Sequence, residues 1–390
     1  MSNHLVTAYQ SLPVSFSRGE GIYLWDQDGR KYLDALSGIS VTSLGHNYPA
    51  VTRAIQEQAA TLIHTSNLYN VEWQQKLAEL LCNCSAMERV FFANSGAEAN
   101  EAAIKIARLY GNQQGINNPQ ILVMQQSFHG RTMATLSATG SRKVQAGFEP
   151  LVSGFLRAPY NDIASIEAIA NNNRSVVAIL VEPVQGEAGI IIPDPGYLRA
   201  LRRICDQNNW LLMLDEIQTG MARSGKMFAF QHEDIVPDVM TLAKALANGL
   251  PIGACVTRGK AAQTIKPGNH GSTFGGNPLA CRTAHAVLSS MIEQSIAENA
   301  ASRGAQLHEL LQQGLSNNVK VRQVRHLGLL LAVEMNEPCQ SIVADALALG
   351  LLINVTAEKV IRLLPPLIID AAQTSEIADI LIHCINSYEG

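Results

Sequence analysis

The chain has 390 residues, 47% of them apolar and 16% charged, with a formal net charge of −4. That composition belongs to a globular protein with room for roughly two or three domains, and it excludes a disordered chain. The signs of charge are mixed and no Lys/Arg block occurs, so neither nucleic acid nor a membrane surface is an expected partner. No apolar run is long enough to span a bilayer, and Met1–Glu20 lacks the pattern of a signal peptide. Seven scattered cysteines without histidine partners read as reduced thiols, so a cytoplasmic protein without a zinc site is expected.

In chain order, Gly21–Trp25 and Lys31–Leu33 flank the turn dipeptide Asp28-Gly29 and predict a hairpin. Val90–Ala93 then reads as a buried strand. It is followed by the small-residue turn Asn94-Ser95-Gly96-Ala97 and by helical spacing of Ala99, Ala102, Ala103, Ile106, Ala107 and Tyr110. A turn of that kind is either a phosphate seat at a helix N-terminus or a plain N-cap. Further buried strands are predicted at Ile121–Met124, Val176–Val181, Leu211–Leu214, Val239–Leu242 and Ile252–Val256, with a helix over Tyr197–Gln207. Strands alternating with helices imply an α/β fold around a mostly parallel sheet. In such sheets ligands sit at the carboxyl ends of the strands.

Those ends carry polar residues. Ser127-Phe128-His129-Gly130-Arg131 follows the Ile121 strand, Glu182 through Glu187 follows the Val176 strand, and Asp215, Glu216 and Gln218 follow the Leu211 strand. Each alone could be a cap, a core residue or a surface residue. Thr241–Ala247 places Lys244 in an apolar run, where it is either a snorkelling lysine or an amine with a depressed pKa, free to attack a carbonyl. Arg362 lies inside Val360–Leu367 and needs a carboxylate partner, from the protein or from a substrate. Gly220–Met227 imitates a P-loop, but Met227 stands where the magnesium-holding Ser/Thr would be. After about Gly276 helices dominate, with short strands near Leu329–Glu334 and Lys359–Leu364.

A phosphate seat, an aromatic plate, a strand-end aspartate and a buried lysine together match the needs of pyridoxal 5′-phosphate: an imine-forming amine, a carboxylate for the ring nitrogen and a stacking face. The runs Phe91–Ala103, Leu214–Gly220, Thr241–Leu246 and Gly271–Pro278 resemble the signatures of the class III (ornithine-type) aminotransferases of fold type I, in the same order and over nearly the whole chain. The resemblance implies a large, mostly parallel sheet domain over residues 51–275. It also implies a smaller α/β domain formed by both chain ends, residues 1–50 and 276–390.

It further implies that Ser95, Gly96 and Ala97 bind the cofactor phosphate, Phe128 stacks on the ring, Asp215 pairs with the ring nitrogen, Gln218 lies near the ring hydroxyl and Lys244 is the Schiff-base lysine. Thr273 would reach the phosphate of a neighbouring subunit's cofactor, which implies a homodimer, and Ser272 would lie against the substrate. The pattern Ser37–Val41 with Leu44-Gly45-His46 is most similar to family members that act on N-acetylornithine, with 2-oxoglutarate as acceptor. Ile39 stands where ornithine-specific members have a tyrosine for the free α-amino group, and Tyr9 matches a position both kinds share. Arg131 would then hold the distal carboxylate, Arg362 the α-carboxylate of glutamate, and Glu182 would mask Arg362 while the acylated amine is bound. Ala188 and Asn248 depart from the common pattern, in which glycine is frequent nearby. N-succinylornithine, ornithine and 4-aminobutyrate remain alternative amine donors, and a catalytically inactive homologue is the alternative of another class.

Overall fold

The computed structural model describes residues 4–388. At its centre lies a seven-stranded sheet in the order Arg89–Ala93, Gly253–Thr257, Val239–Leu242, Leu211–Asp215, Val176–Val181, Gln120–Met124, Phe155–Ala158. The last five strands of that order run parallel, and Gly253–Thr257 pairs antiparallel with both of its neighbours. Every residue of Val176–Val181 is buried, as a strand covered by helices on both faces requires. Its run of β-branched and aliphatic side chains suits that place.

The helix predicted after the first of these strands spans Gly96–Gln113, and all six of its expected core positions are buried. The Tyr197 helix runs to Asn208. The edge strand Phe155–Ala158 has no counterpart in the sequence reading. It is four residues long and only partly buried, and Arg157 breaks its apolar run.

Two smaller sheets flank the centre. The predicted hairpin forms as Tyr23–Asp26 and Lys31–Asp34, extended by Phe16–Glu20 on one side. On the other side Leu351–Leu352 joins it in parallel, which brings chain from near the C-terminus against the first fifty residues. The second small sheet has the order Val321–Leu327, Leu330–Met335, Val360–Leu363, Asn354–Thr356. Its third strand carries Arg362 in the sheet interior. Among the described residues no helix is long and apolar enough to cross a membrane.

Candidate active site

The carboxyl ends of the central strands open into a cavity of about 410 Å³. Ser95, Gly96, Ala97, Phe128, Arg131, Glu182, Asp215, Gln218 and Lys244 all line it, so residues scattered over 150 positions of sequence meet in one crevice. Each is placed by an element end. Ser95 caps the Gly96–Gln113 helix by accepting from the Glu98 N–H at 3.2 Å. The N–H groups of Gly96 and Ala97 belong to the first turn, have no preceding carbonyl to donate to, and lie at the positive end of the helix dipole. The Ser95 cap therefore does not compete with an anion at this helix end. The close packing needs Gly253, because a Cβ there would stand 2.2 Å from the Ser95 carbonyl oxygen.

Asp215 terminates the Leu211 strand and is held from several directions. Its Oδ2 is 2.8 Å from both the Asn100 amide nitrogen and His129 Nδ1, and its Oδ1 accepts from the Ile217 N–H at 3.1 Å. Asn100 is itself fixed, donating also to the His129 carbonyl and accepting from the Thr241 hydroxyl, each at 2.8 Å. Asn100 and His129 lie in runs noted in the sequence, but neither is given a role there. Asn100 could have been noticed as a polar residue on the buried, alanine-lined face of its helix.

Lys244 follows the Val239–Leu242 strand in a single 3-10 turn, at φ 43°, a left-handed conformation costly for a side chain with a Cβ. Burial pushes its amine below the usual lysine range, against the opposing pull of Glu187. Gln218 turns its Oε1 inward, buried and with no hydrogen-bond partner among the described residues. It can lie there because residue 186 is glycine: a Cβ at that position would stand 2.0 Å from Gln218 Oε1. A buried amide oxygen without a partner is an acceptor waiting for a donor from a bound molecule.

The substrate end differs from expectation at one pair. Arg362 is wholly buried and bonds through Nη1 to Glu187 Oε1 at 2.7 Å, not to Glu182. Glu182 is turned back into its own loops, where it accepts from the Phe128 N–H at 2.9 Å and the Gly186 N–H at 3.1 Å. Burial pushes the Glu182 carboxyl up to about 7. Burial also acts to raise Glu187, but the neighbouring Arg362 outweighs it and holds that carboxyl below its ordinary value. Glu187 lines the cavity and Arg362 does not, so the carboxylate stands between the guanidinium and the space a substrate would fill. Arg362 Nη2 is buried without a partner. Arg131 has no carboxylate of the described residues within ion-pair distance, and its guanidinium lies 5.7 Å from the Phe128 ring centroid.

Two other expectations fall outside the cavity wall. Val41 lines it, whereas Ile39 is 37% exposed in a left-handed turn over Ser37–Ser40. Ser272 spends its hydroxyl on the Asn94 amide at 3.2 Å and the Gly275 N–H at 2.9 Å, and lies in a separate groove. Thr273 is exposed. Among the described residues no cluster of three or more His, Cys, Asp or Glu side chains could hold a metal ion.

The model of the family described as aminotransferase class-III matches residues 6–385. The chain belongs to the class-III aminotransferases. It is 54% identical to the acetylornithine aminotransferase of Nitrosomonas europaea over 375 residues, 96% of this chain and 95% of that protein. Among solved structures, the acetylornithine aminotransferase of Elizabethkingia anophelis matches with a TM-score of 0.89 at 35% identity, covering 99% of this chain and 97% of that one. The ornithine aminotransferase of Toxoplasma gondii matches at 0.94 with 33% identity, covering 98% and 92%; that structure has pyridoxal phosphate at partial occupancy in its active site. Class-III aminotransferases use this cofactor, and the residues of this chain suit it: a helix N-terminus for the phosphate, a fixed carboxylate, a buried lysine and an unpartnered amide oxygen.

Proposed function

We propose that the chain transfers the terminal amine of N-acetylornithine to 2-oxoglutarate, giving N-acetylglutamate semialdehyde and glutamate, a reaction of arginine biosynthesis. Pyridoxal 5′-phosphate, when bound, supplies an aldehyde that takes up the amine and a ring that withdraws electrons from the carbon next to it. Ser95, Gly96 and Ala97 would hold its phosphate, Phe128 its ring face, Asp215 its ring nitrogen, Gln218 its hydroxyl and Lys244 its aldehyde carbon. Lys244 Nζ, its pKa lowered by burial, takes the proton from the substrate carbon that bears the transferred amine. Asp215, braced by His129 and Asn100, keeps its side chain facing one fixed point.

The observation that carries a terminal-amine donor paired with an α-amino acid product is the Arg362–Glu187 pair, and the choice of the acetylated donor among such amines rests on the identity to the Nitrosomonas europaea protein. Acetylornithine presents an uncharged methylene chain near the reacting carbon, and glutamate presents a carboxylate there. A bare buried guanidinium suits only the second, so Glu187 masks Arg362 for the first substrate and swings away for the second. Arg131, which pairs with no carboxylate among the described residues, takes the distal carboxylate of both. The identity to the Nitrosomonas europaea protein supports the same reading. Single-turnover rates with acetylornithine, ornithine and 4-aminobutyrate test it: acetylornithine should be fastest, and faster reaction of free ornithine would refute it.

A dimer belongs to this proposal. Leu62, Ile63, Leu68, Tyr69 and Phe274 are 48 to 87% exposed. The 67 and 272–275 segments are joined through the Asn67 amide, which places these apolar side chains beside Thr273. A second copy covering them would bring Thr273 toward its partner's phosphate seat. The division of the chain near residues 50 and 275 is proposed with it, supported by the pairing of Leu351–Leu352 with Lys31–Asp34.

A further inference from the structure

Beyond Arg131 the cavity gives onto a second one, of about 560 Å³, lying between the central sheet and the small sheet that carries Arg362. Phe128, Arg131 and Glu187 line both, so a molecule reaching past Arg131 enters this antechamber. Its outer wall is made by Lys143, on the short helix Arg142–Gln145, and by Glu358, at the tip of the hairpin formed by Asn354–Thr356 and Val360–Leu363. The two charges face each other across the opening at 3.6 Å, with side chains 87% and 75% exposed. A pair so long and so exposed contributes little and is readily exchanged for another partner. Ala357 and Glu358 hold left-handed backbone angles, φ 48° and 64°, as a tight hairpin tip requires, so Glu358 is fixed in place by its turn.

We propose that this antechamber receives the acyl group on the donor's α-nitrogen, and that Lys143 and Glu358 set how well an acidic acyl group is accepted relative to a neutral one. The inference rests on the acylornithine reading above. With the terminal amine at Lys244 and the α-carboxylate at Arg131, the acylamido group is the part of the donor left to extend past Arg131. An acetyl group ends in a methyl and asks nothing of Lys143. A dicarboxylic acyl group such as succinyl ends in a carboxylate that takes Lys143 from Glu358. Glu358 therefore disfavours the acidic acyl group twice, by occupying Lys143 and by repelling the incoming carboxylate.

The test is the ratio of kcat/KM for N-succinylornithine to that for N-acetylornithine in the holoenzyme. Lys143→Gln should lower the ratio and Glu358→Gln should raise it, each on the order of threefold, as expected for exposed charges. Both shifts should shrink in 0.5 M salt, where screening shortens to about 4 Å. Ratios unchanged in both variants, with turnover intact, would overturn this inference alone. Absence of turnover of either acylated ornithine by the unaltered enzyme would instead overturn the function on which it rests.

Discussion

At the floor of the cavity Asp215 is bonded to Asn100, His129 and the Ile217 N–H, and it is 4% exposed. At the substrate end Arg131 is exposed and pairs with no carboxylate among the described residues, and Arg362 is neutralised by Glu187, whose side chain is 39% exposed. The floor comes from strand and helix ends of one sheet, so its parts cannot shift without disturbing a packed core. The other end comes from loops and from a second sheet, so one side chain there can change partner while the core stays still. One end presents a single arrangement to every substrate; the other must accept two substrates that differ in charge beside the reacting carbon.

The comparison is broken most severely at the floor. On the proposed assignment Lys244→Ala removes the amine that moves the proton and should lower kcat at least about a thousandfold, the scale of lost general acid–base catalysis. Purified protein should also lose the yellow absorbance of covalently held cofactor. Both half-reactions should suffer alike, because the floor does not distinguish substrates. A variant that turned over one substrate normally would show that the floor is not common to both.

Glu187→Ala acts only at the other end. It leaves Arg362 buried, charged and facing the cavity, which opposes the uncharged chain of acetylornithine and leaves glutamate a ready partner. The acetylornithine half-reaction should slow about tenfold more than the glutamate half-reaction, equivalent to roughly 1.4 kcal/mol. Equal losses in single-turnover measurements would remove the masking role. Glu182→Ala should not reproduce this selectivity, since Glu182 bonds to backbone N–H groups and does not reach Arg362.

Sequence separates these two ends in the same way. The strands, the Gly96–Gln113 helix and the meeting of Asp215 with Lys244 were legible, because long apolar runs and helical spacing report a buried sheet and its strand ends. The partner of Arg362 was not. Glu182 and Glu187 follow the same strand, and both are carboxylates in a short loop; which one is consumed by backbone N–H groups depends on how that loop folds back. The bracing of Asp215 was hidden for another reason. Asn100 and His129 act through a neighbour, and their value appears only when three chain segments come together. The place of Ile39 was obscured by its backbone: a left-handed turn in which Ser37, Ile39 and Ser40 join Gly38 at positive φ has no signature in the sequence beyond that one glycine.

A weaker effect tests whether the buried acids behave as their surroundings dictate. Glu182 and Glu216 are both pushed up to about 7 by burial, above the ordinary 4.5. Between those values the folded protein keeps protons that the unfolded chain releases. Their contribution to stability is complete below about pH 4.5 and is lost as pH rises through 7. Glu187 works in the opposite sense, but below pH 4.5, because its carboxyl is held under the ordinary value. From pH 5 to 7 each of these carboxyls should lower the unfolding free energy in urea, on the order of 1 kcal/mol per pH unit at most, while His232, His270, His285 and His326, lowered by burial, act in the opposite sense. The measurement is therefore the difference between the parent and Glu216→Gln: a difference that does not change from pH 5 to 7 would mean that water reaches this carboxyl.

The smallest effect concerns Asn248, which sits at φ 50° just after the turn that carries Lys244. Glycine would relieve that left-handed backbone, and the common family pattern favours glycine nearby. Yet the Asn248 side chain accepts from the Leu44 N–H at 2.8 Å and donates to the Gly45 carbonyl at 2.9 Å, fastening the Ser37–His46 segment to the lysine turn. Asparagine tolerates the left-handed region better than most residues, so the relief from glycine is well under about 1 kcal/mol. Two hydrogen bonds at roughly 0.5–1.5 kcal/mol each outweigh it. Asn248→Gly should therefore destabilise the protein by about 1 kcal/mol, and Asn248→Ala by more, because alanine loses the bonds and keeps the backbone strain. The two unfolding midpoints decide the matter: a glycine variant as stable as the parent would mean that the fastening contributes no more than the backbone relief, and an alanine variant as stable as the parent would mean that it contributes nothing and that packing alone places the segment bearing Val41.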